Sequence, residues 1–128
     1  MGLQMVYFVV RFSKELVEDR KRFKMYAAYV RSTIDDTFGY KAKKGMNNDY
    51  LLENRSFKFG VRRTDTAKRF REWLEKLDFF LYDQSDLVEY GLWIPREPKI
   101  IEIRGKRIRI KRPSKISRNP RDLIRQIS

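Results

Sequence analysis

The sequence predicts an α+β domain: an antiparallel sheet with two helices on one face, in ferredoxin-like order, followed by a basic β-hairpin and tail. Three observations predict it. Met5 to Phe12 (MVYFVVRF) is a continuous apolar run rich in β-branched and aromatic residues, as in a central strand covered on parts of both faces. Two stretches of helical periodicity flank Ser56 to Arg63 (SFKFGVRR), which alternates as a half-buried strand does. Pro98 to Pro113 (PKIIEIRGKRIRIKRP) alternates isoleucines with charges about a central Gly105-Lys106.

Each element has its own signal. Ser13 is a good N-cap for the first helix, and Phe12 and Val17 occupy the two positions of a hydrophobic staple. That helix should run to about Phe38, with Leu16, Phe23, Ala27, Val30, Ile34 and Phe38 as its buried stripe and Gly39 as its stop. Arg20, Lys24 and Arg31 fall on another face. Gly39 to Asp49 reads as a polar loop holding Lys41, Lys43 and Lys44, and Tyr50 to Leu52 as a short strand. In the strand before the second helix, Phe57, Phe59 and Val61 point one way and Lys58, Gly60 and Arg62 the other.

Thr64 and Asp65 can cap the second helix, whose core stripe is Ala67, Phe70, Leu74 and Leu77, widened by Trp73, ending near Asp78. Phe79 to Tyr82 and Leu87 to Ile94 then read as two strands joined by the turn formers Asp83 to Asp86. Pro95 and Pro98 bracket a linker, dividing a body, residues 1–95, from a hairpin and tail, residues 96–128, packed on it as one domain. A type II′ turn at Gly105-Lys106 would set Arg104 opposite Arg107, Ile103 opposite Ile108, Glu102 opposite Arg109 and Ile101 opposite Ile110. The isoleucines then share one side, and Arg104, Arg107, Arg109 and Lys111 the other. Beyond Pro113 the chain should be extended until Asn119-Pro120 opens a short helix with Leu123, Ile124 and Ile127 on one side.

Charge indicates the partner. The chain carries 30 Lys and Arg against 17 Asp and Glu, a net charge of +13, and residues 96–128 hold twelve of the cations against three acids. Such an excess points to a polyanion. With no cysteine or histidine there are no disulfides, thiol nucleophiles, imidazole bases or common zinc sites, and no cofactor or metal is expected. No apolar run is long enough to span a bilayer, and Met1 to Phe12 lacks signal-peptide features, so a cytoplasmic location and no membrane partner are expected. A charged fraction of 37% without cysteine suits a thermophile.

The functional expectation is a non-enzymatic protein that binds DNA or RNA through phosphates. Arg104, Arg107, Arg109, Lys111 and Arg112 form the main contact; Lys41, Lys43 and Lys44, or Arg62 and Arg63, form a second. The alternative is a protein-interaction or homo-oligomerising module that uses the isoleucine side and the C-terminal helix. The two differ in one feature: a phosphate binder would bury its isoleucines on its own body, whereas a protein-contact module would expose them.

Three family resemblances bear on this. Val6-Tyr7-Phe8, with Arg55, Phe57 and Phe59 before the second helix, loosely resembles the paired motifs of the RNA-recognition-motif family, although Ser56, Lys58 and Gly60 depart from it. It implies that Tyr7, Phe57 or Phe59, if solvent-facing, would stack on single-stranded bases. Asp86 followed by Glu102-Ile103-Arg104 resembles the PD-(D/E)xK nucleases, which implies a metal-dependent nuclease as a second alternative; there Arg104 replaces the lysine and cannot act as a base. Residues 26–94 resemble the LAGLIDADG endonucleases in layout, with Asp35-Asp36 near the acidic position but about 100° apart on a helix.

Overall fold

In a computed structural model the described residues are 5–62, 66–82, 84, 86–111, 114–119 and 121–122. Strand β1 (Met5–Phe12) forms where the apolar run predicts it. Ser13 caps the next helix by accepting a hydrogen bond from the Leu16 amide at 3.1 Å. The expected single helix is interrupted, however. It is split into α1 (Lys14–Glu18) and α2 (Arg20–Phe38) at Asp19, which leaves helical geometry and accepts from the Arg22 amide as a fresh N-cap. Short acidic side chains compete with the helical backbone in this way. The stripe nevertheless holds: Leu16, Phe23, Ala27, Val30 and Ile34 are buried, and Gly39, at φ 97°, ends α2.

The segment expected to be a loop and a short strand is helical instead. It forms α3 (Tyr40–Lys43) and α4 (Asn48–Asn54), separated by a turn at Gly45 with φ 90°. Asn47 caps α4 through the Tyr50 amide at 2.8 Å, Leu51 is its buried anchor, and Arg55 takes the left-handed C-cap conformation. Strand β2 (Ser56–Arg62) buries Phe57, Phe59 and Val61 as its alternation predicts. Helix α5 (Thr66–Phe80) then buries Phe70, Trp73, Leu74 and Leu77. Ala67 is exposed and Thr66 takes its inner place, donating to the Arg62 carbonyl at 2.7 Å. Phe79 and Phe80 extend α5 instead of starting a strand. Phe80 stacks on Tyr29 at 3.7 Å and Leu81 is buried one turn beyond Leu77, so the helical stripe simply continues. The expected caps Thr64 and Asp65 lie outside the described residues.

Strand β3 (Val88–Ile94) follows, and the last sheet strand is β6 (Lys115–Ser117). The sheet is four-stranded and antiparallel, in the order β2-β1-β3-β6. Strands β2 and β3 are joined by α5 and both flank β1, one split βαβ unit. The first crossover instead returns β2 directly beside β1, so the ferredoxin-like order is not reproduced. Val6, Phe8, Val10 and Phe12 face the core, where Phe8 meets Phe38 of α2 and Phe70 and Trp73 of α5, so both long helices cover this one face.

Between β3 and β6 the chain makes a second hairpin, β4 (Lys99–Ile103) and β5 (Lys106–Ile110). It continues the β3–β6 ladder outward in the same register: five residues beyond the pair Ile94 and Lys115 comes the pair Lys99 and Ile110. Pro95 and Pro98, which cannot donate to a ladder, sit in the interruption. The turn is Arg104-Gly105, not Gly105-Lys106. Both residues have positive φ, 53° and 75°, as a type I′ connection requires. Ile101 therefore faces Ile108, Glu102 faces Arg107 and Ile103 faces Lys106, a displacement of two residues that keeps Ile101, Ile103, Ile108 and Ile110 on the side away from Arg107 and Arg109.

A left-handed arginine is strained, and asparagine tolerates that conformation better. Arg104→Asn should therefore raise hairpin amide protection and gain a few tenths to about 1 kcal/mol. Were Gly105-Lys106 the turn, the change would bring no such gain.

Tyr90 ties three segments together. Its hydroxyl donates to the Asp78 carboxylate, which also pairs with Arg118, and the Arg118 guanidinium lies 4.9 Å over the Tyr90 ring. Burial and then this hydrogen bond push the phenol's pKa well above its ordinary value. Below pH about 10 the phenol is protonated in both states; above it the unfolded chain loses the proton first. Stability should fall as pH rises past that point, and Tyr90→Phe should flatten the fall in alkaline denaturation.

Candidate nucleic-acid interface

The hairpin shows its charges on a narrow ribbon. Alternation places Ile100, Glu102, Arg107 and Arg109 on one side, and Lys99, Ile101, Ile103, Lys106, Ile108 and Ile110 on the other. Arg104 has moved from the cationic side to the exposed turn. Among the described residues the ion pairs are Arg11 with Glu89, Lys43 with Asp35 and Arg118 with Asp78. None involves Arg104, Arg107, Arg109 or Lys111, all of which are exposed. The isoleucine side is not buried: Ile103, Ile108 and Ile110 remain 49%, 42% and 44% exposed, and Ile101 is half-buried. The expectation that a phosphate binder would bury them on its own body is not met, because the ribbon extends beyond the sheet.

The second expected contact region is divided by the fold. Lys43 is held by Asp35 at 2.9 Å and lies 5.4 Å over the Tyr40 ring, which gives it a structural task. Lys44 lines a small cleft with Arg31 and Tyr40. Lys41 and Arg62, distant in sequence, meet with Arg69 around a cleft of about 390 Å³ that contains no acidic side chain. Arg63 and Arg112 lie outside the described residues, as do Leu123, Ile124 and Ile127.

The sheet face away from the helices carries Trp93 and Lys58, which sequence reasoning did not select as site residues, beside Tyr7 and Arg62, which it did. Of the three aromatics considered for stacking, Phe57 and Phe59 are buried in the core, and Tyr7 faces outward at 39% exposure. Tyr7 meets Trp93 of β3 edge to face, with centroids 6.2 Å apart. The Lys58 ammonium from β2 sits 4.1 Å from the Trp93 centroid and 5.2 Å from that of Tyr7. Cross-strand register puts Met5 beside Arg62 and Val9 beside Lys58 on this same face. Its acid, Glu89, is 3.9 Å from Arg11 at the far end. The alternation of SFKFGVRR already assigned Lys58 and Arg62 to the outer side of β2, but β1 is apolar throughout and gives no sign that Tyr7 faces out.

The acidic residues considered for metal chemistry do not converge. Asp86 precedes β3 and Glu102 lies in β4, so the whole of β3 stands between them along the chain, and among the described residues no group of three or more acidic side chains gathers as a metal site would need. Glu102 lies opposite Arg107, not Arg109. Asp35 is engaged by Lys43, and Asp36 is exposed. Among the described residues no helix is long and apolar enough to cross a membrane. Comparison with known protein families, with curated proteins and with solved structures finds no match to this chain.

Proposed function

We propose that this chain binds nucleic acid, without chemistry on it, through the phosphate backbone. The observation that carries this reading is the projecting ribbon whose cations Arg107, Arg109 and Lys111, with Arg104 at its tip, have no ion pair among the described residues. Glu102, opposite Arg107, is the one acid among the described residues on that side of the ribbon, and cations so weakly offset repel one another unless a polyanion screens them. A two-stranded ribbon is also narrow enough to enter a duplex major groove.

The test keeps the chain whole, because removing residues 96–128 would strip β6 from the edge of β3. The triple variant Arg107→Gln, Arg109→Gln, Lys111→Gln should reduce the slope of log K against log salt by about 2 to 3 on duplex DNA, near 0.9 for each phosphate no longer neutralised. An unchanged slope would remove the hairpin from the interface.

The exposed isoleucines favour a second reading, in which that side of the ribbon is a protein contact, with a second copy of the chain as one partner. On this reading light scattering should detect a dimer that Ile103→Ser with Ile108→Ser abolishes. A monomer at all concentrations would exclude the second copy.

A further inference from the structure

We infer that the outer face of the sheet is a stacking platform for single-stranded nucleic acid, with Tyr7 and Trp93 as the rings and the Lys41, Arg62 and Arg69 cleft as a phosphate seat. This rests on the nucleic-acid reading above and narrows its substrate class.

Three independent features lead to it. The rings adjoin across β1 and β3, and Tyr7, on a central strand of the sheet, keeps 39% of its surface exposed beside Trp93. The Tyr7 ring also lies over Gly60: a Cβ added there would come within 2.9 Å of it, so the absent side chain leaves room for the ring. Lastly, the charge on this face is cationic. Lys58 stands at the rings and Arg62 beside Met5, while Glu89 is occupied by Arg11; around the β2 edge Arg62 joins Lys41 and Arg69, which come from the helical side, at the cleft.

A ligand that matches this face must offer flat π surfaces and a string of negative charges. Single-stranded DNA or RNA does both, because its unpaired bases can splay onto rings while the backbone follows the cations. In a duplex the bases face one another and cannot lie on a sheet. An acidic protein would satisfy the cations without using the rings.

Tryptophan emission separates these cases. Trp73 is fully buried, so a change on adding ligand reports on Trp93, the other of the two tryptophans. A short oligothymidylate should quench the emission of the intact protein and bind more tightly than a duplex of equal length. Tyr7→Ala should weaken oligothymidylate binding about 5- to 150-fold while leaving duplex binding unchanged. Tyr7→Phe, which keeps the ring, should retain affinity, and Trp93→Phe should abolish the optical response.

Binding of both probes with no change in emission and no effect of Tyr7→Ala would overturn the platform and leave the hairpin reading standing. Duplex binding as tight as single-strand binding would likewise remove the inferred substrate class. If neither probe binds, both readings fall together.

Discussion

Phe8→Ala should destabilise the protein by about 3–5 kcal/mol, a large part of the 5–15 kcal/mol typical of a folded domain. Phe8 is fully buried at the centre of the sheet, and its ring packs against Phe38, Phe59, Phe70 and Trp73 at centroid distances of 5.1–5.9 Å. These come from α2, β2 and α5, so one ring joins both helices to the strand pair. Truncation loses the transfer free energy of the ring and leaves a hole bordered by rigid aromatics that close poorly around it. Chemical denaturation should show the loss as a lower midpoint with an unchanged slope. A loss below about 1 kcal/mol would mean that the neighbouring rings collapse into the space, contrary to the packing described.

Gly91→Ala should detach β6 from β3. A Cβ at Gly91 would come within 2.5 Å of the Ser117 carbonyl oxygen and 3.0 Å of its carbon. Both are backbone atoms in the ladder that pairs Leu92 with Ser117, so they cannot turn aside as a side chain would. Overpacking of this kind costs about 1–3 kcal/mol. The local effect should be larger than the global one: hydrogen exchange at the β3–β6 amides should accelerate, while the β1–β2 amides stay protected. Because the basic hairpin is anchored between those two strands, the proposed function predicts that nucleic-acid affinity falls with the exchange protection. Gly60→Ala is the informative contrast. Its new methyl would meet the Tyr7 ring and the end of Met5, side chains that can move, so the fold should tolerate it while the ring is displaced. Equal damage from both substitutions would refute the distinction.

Where the signal was local, the sequence was readable. A continuous apolar run located β1; periodicity located β2, the buried stripes of α2 and α5, and the division of the hairpin into two sides, because spacing along one element determines which residues share a face. It failed at Gly39 to Leu52, where lysines, glycines and asparagines read as a loop followed by a short strand but Ala42, Met46 and Leu51 had core to fill. Burial of three apolar residues overrode weak local preference. At Phe79 to Tyr82 a run of aromatics looked like a strand, yet the contact between Phe80 and Tyr29 rewards one more helical turn.

The candidate interface divides in the same way. Charge is additive along the chain, so an excess concentrated in residues 96–128 needs no coordinates to be seen. Which cations are occupied does need them: Lys43 is taken up by Asp35, while Arg69 joins Lys41 and Arg62 from three separate elements. By itself the sequence determined that this is a basic α+β protein, and which residues of most strands and helices face inward. The tertiary structure alone decided the strand order, the turn at Arg104-Gly105, the exposure of the isoleucines, and the pairing of Tyr7 with Trp93. Propensity and periodicity act within a few residues of chain, whereas strand neighbours, register and solvent exposure depend on contacts between residues far apart in sequence.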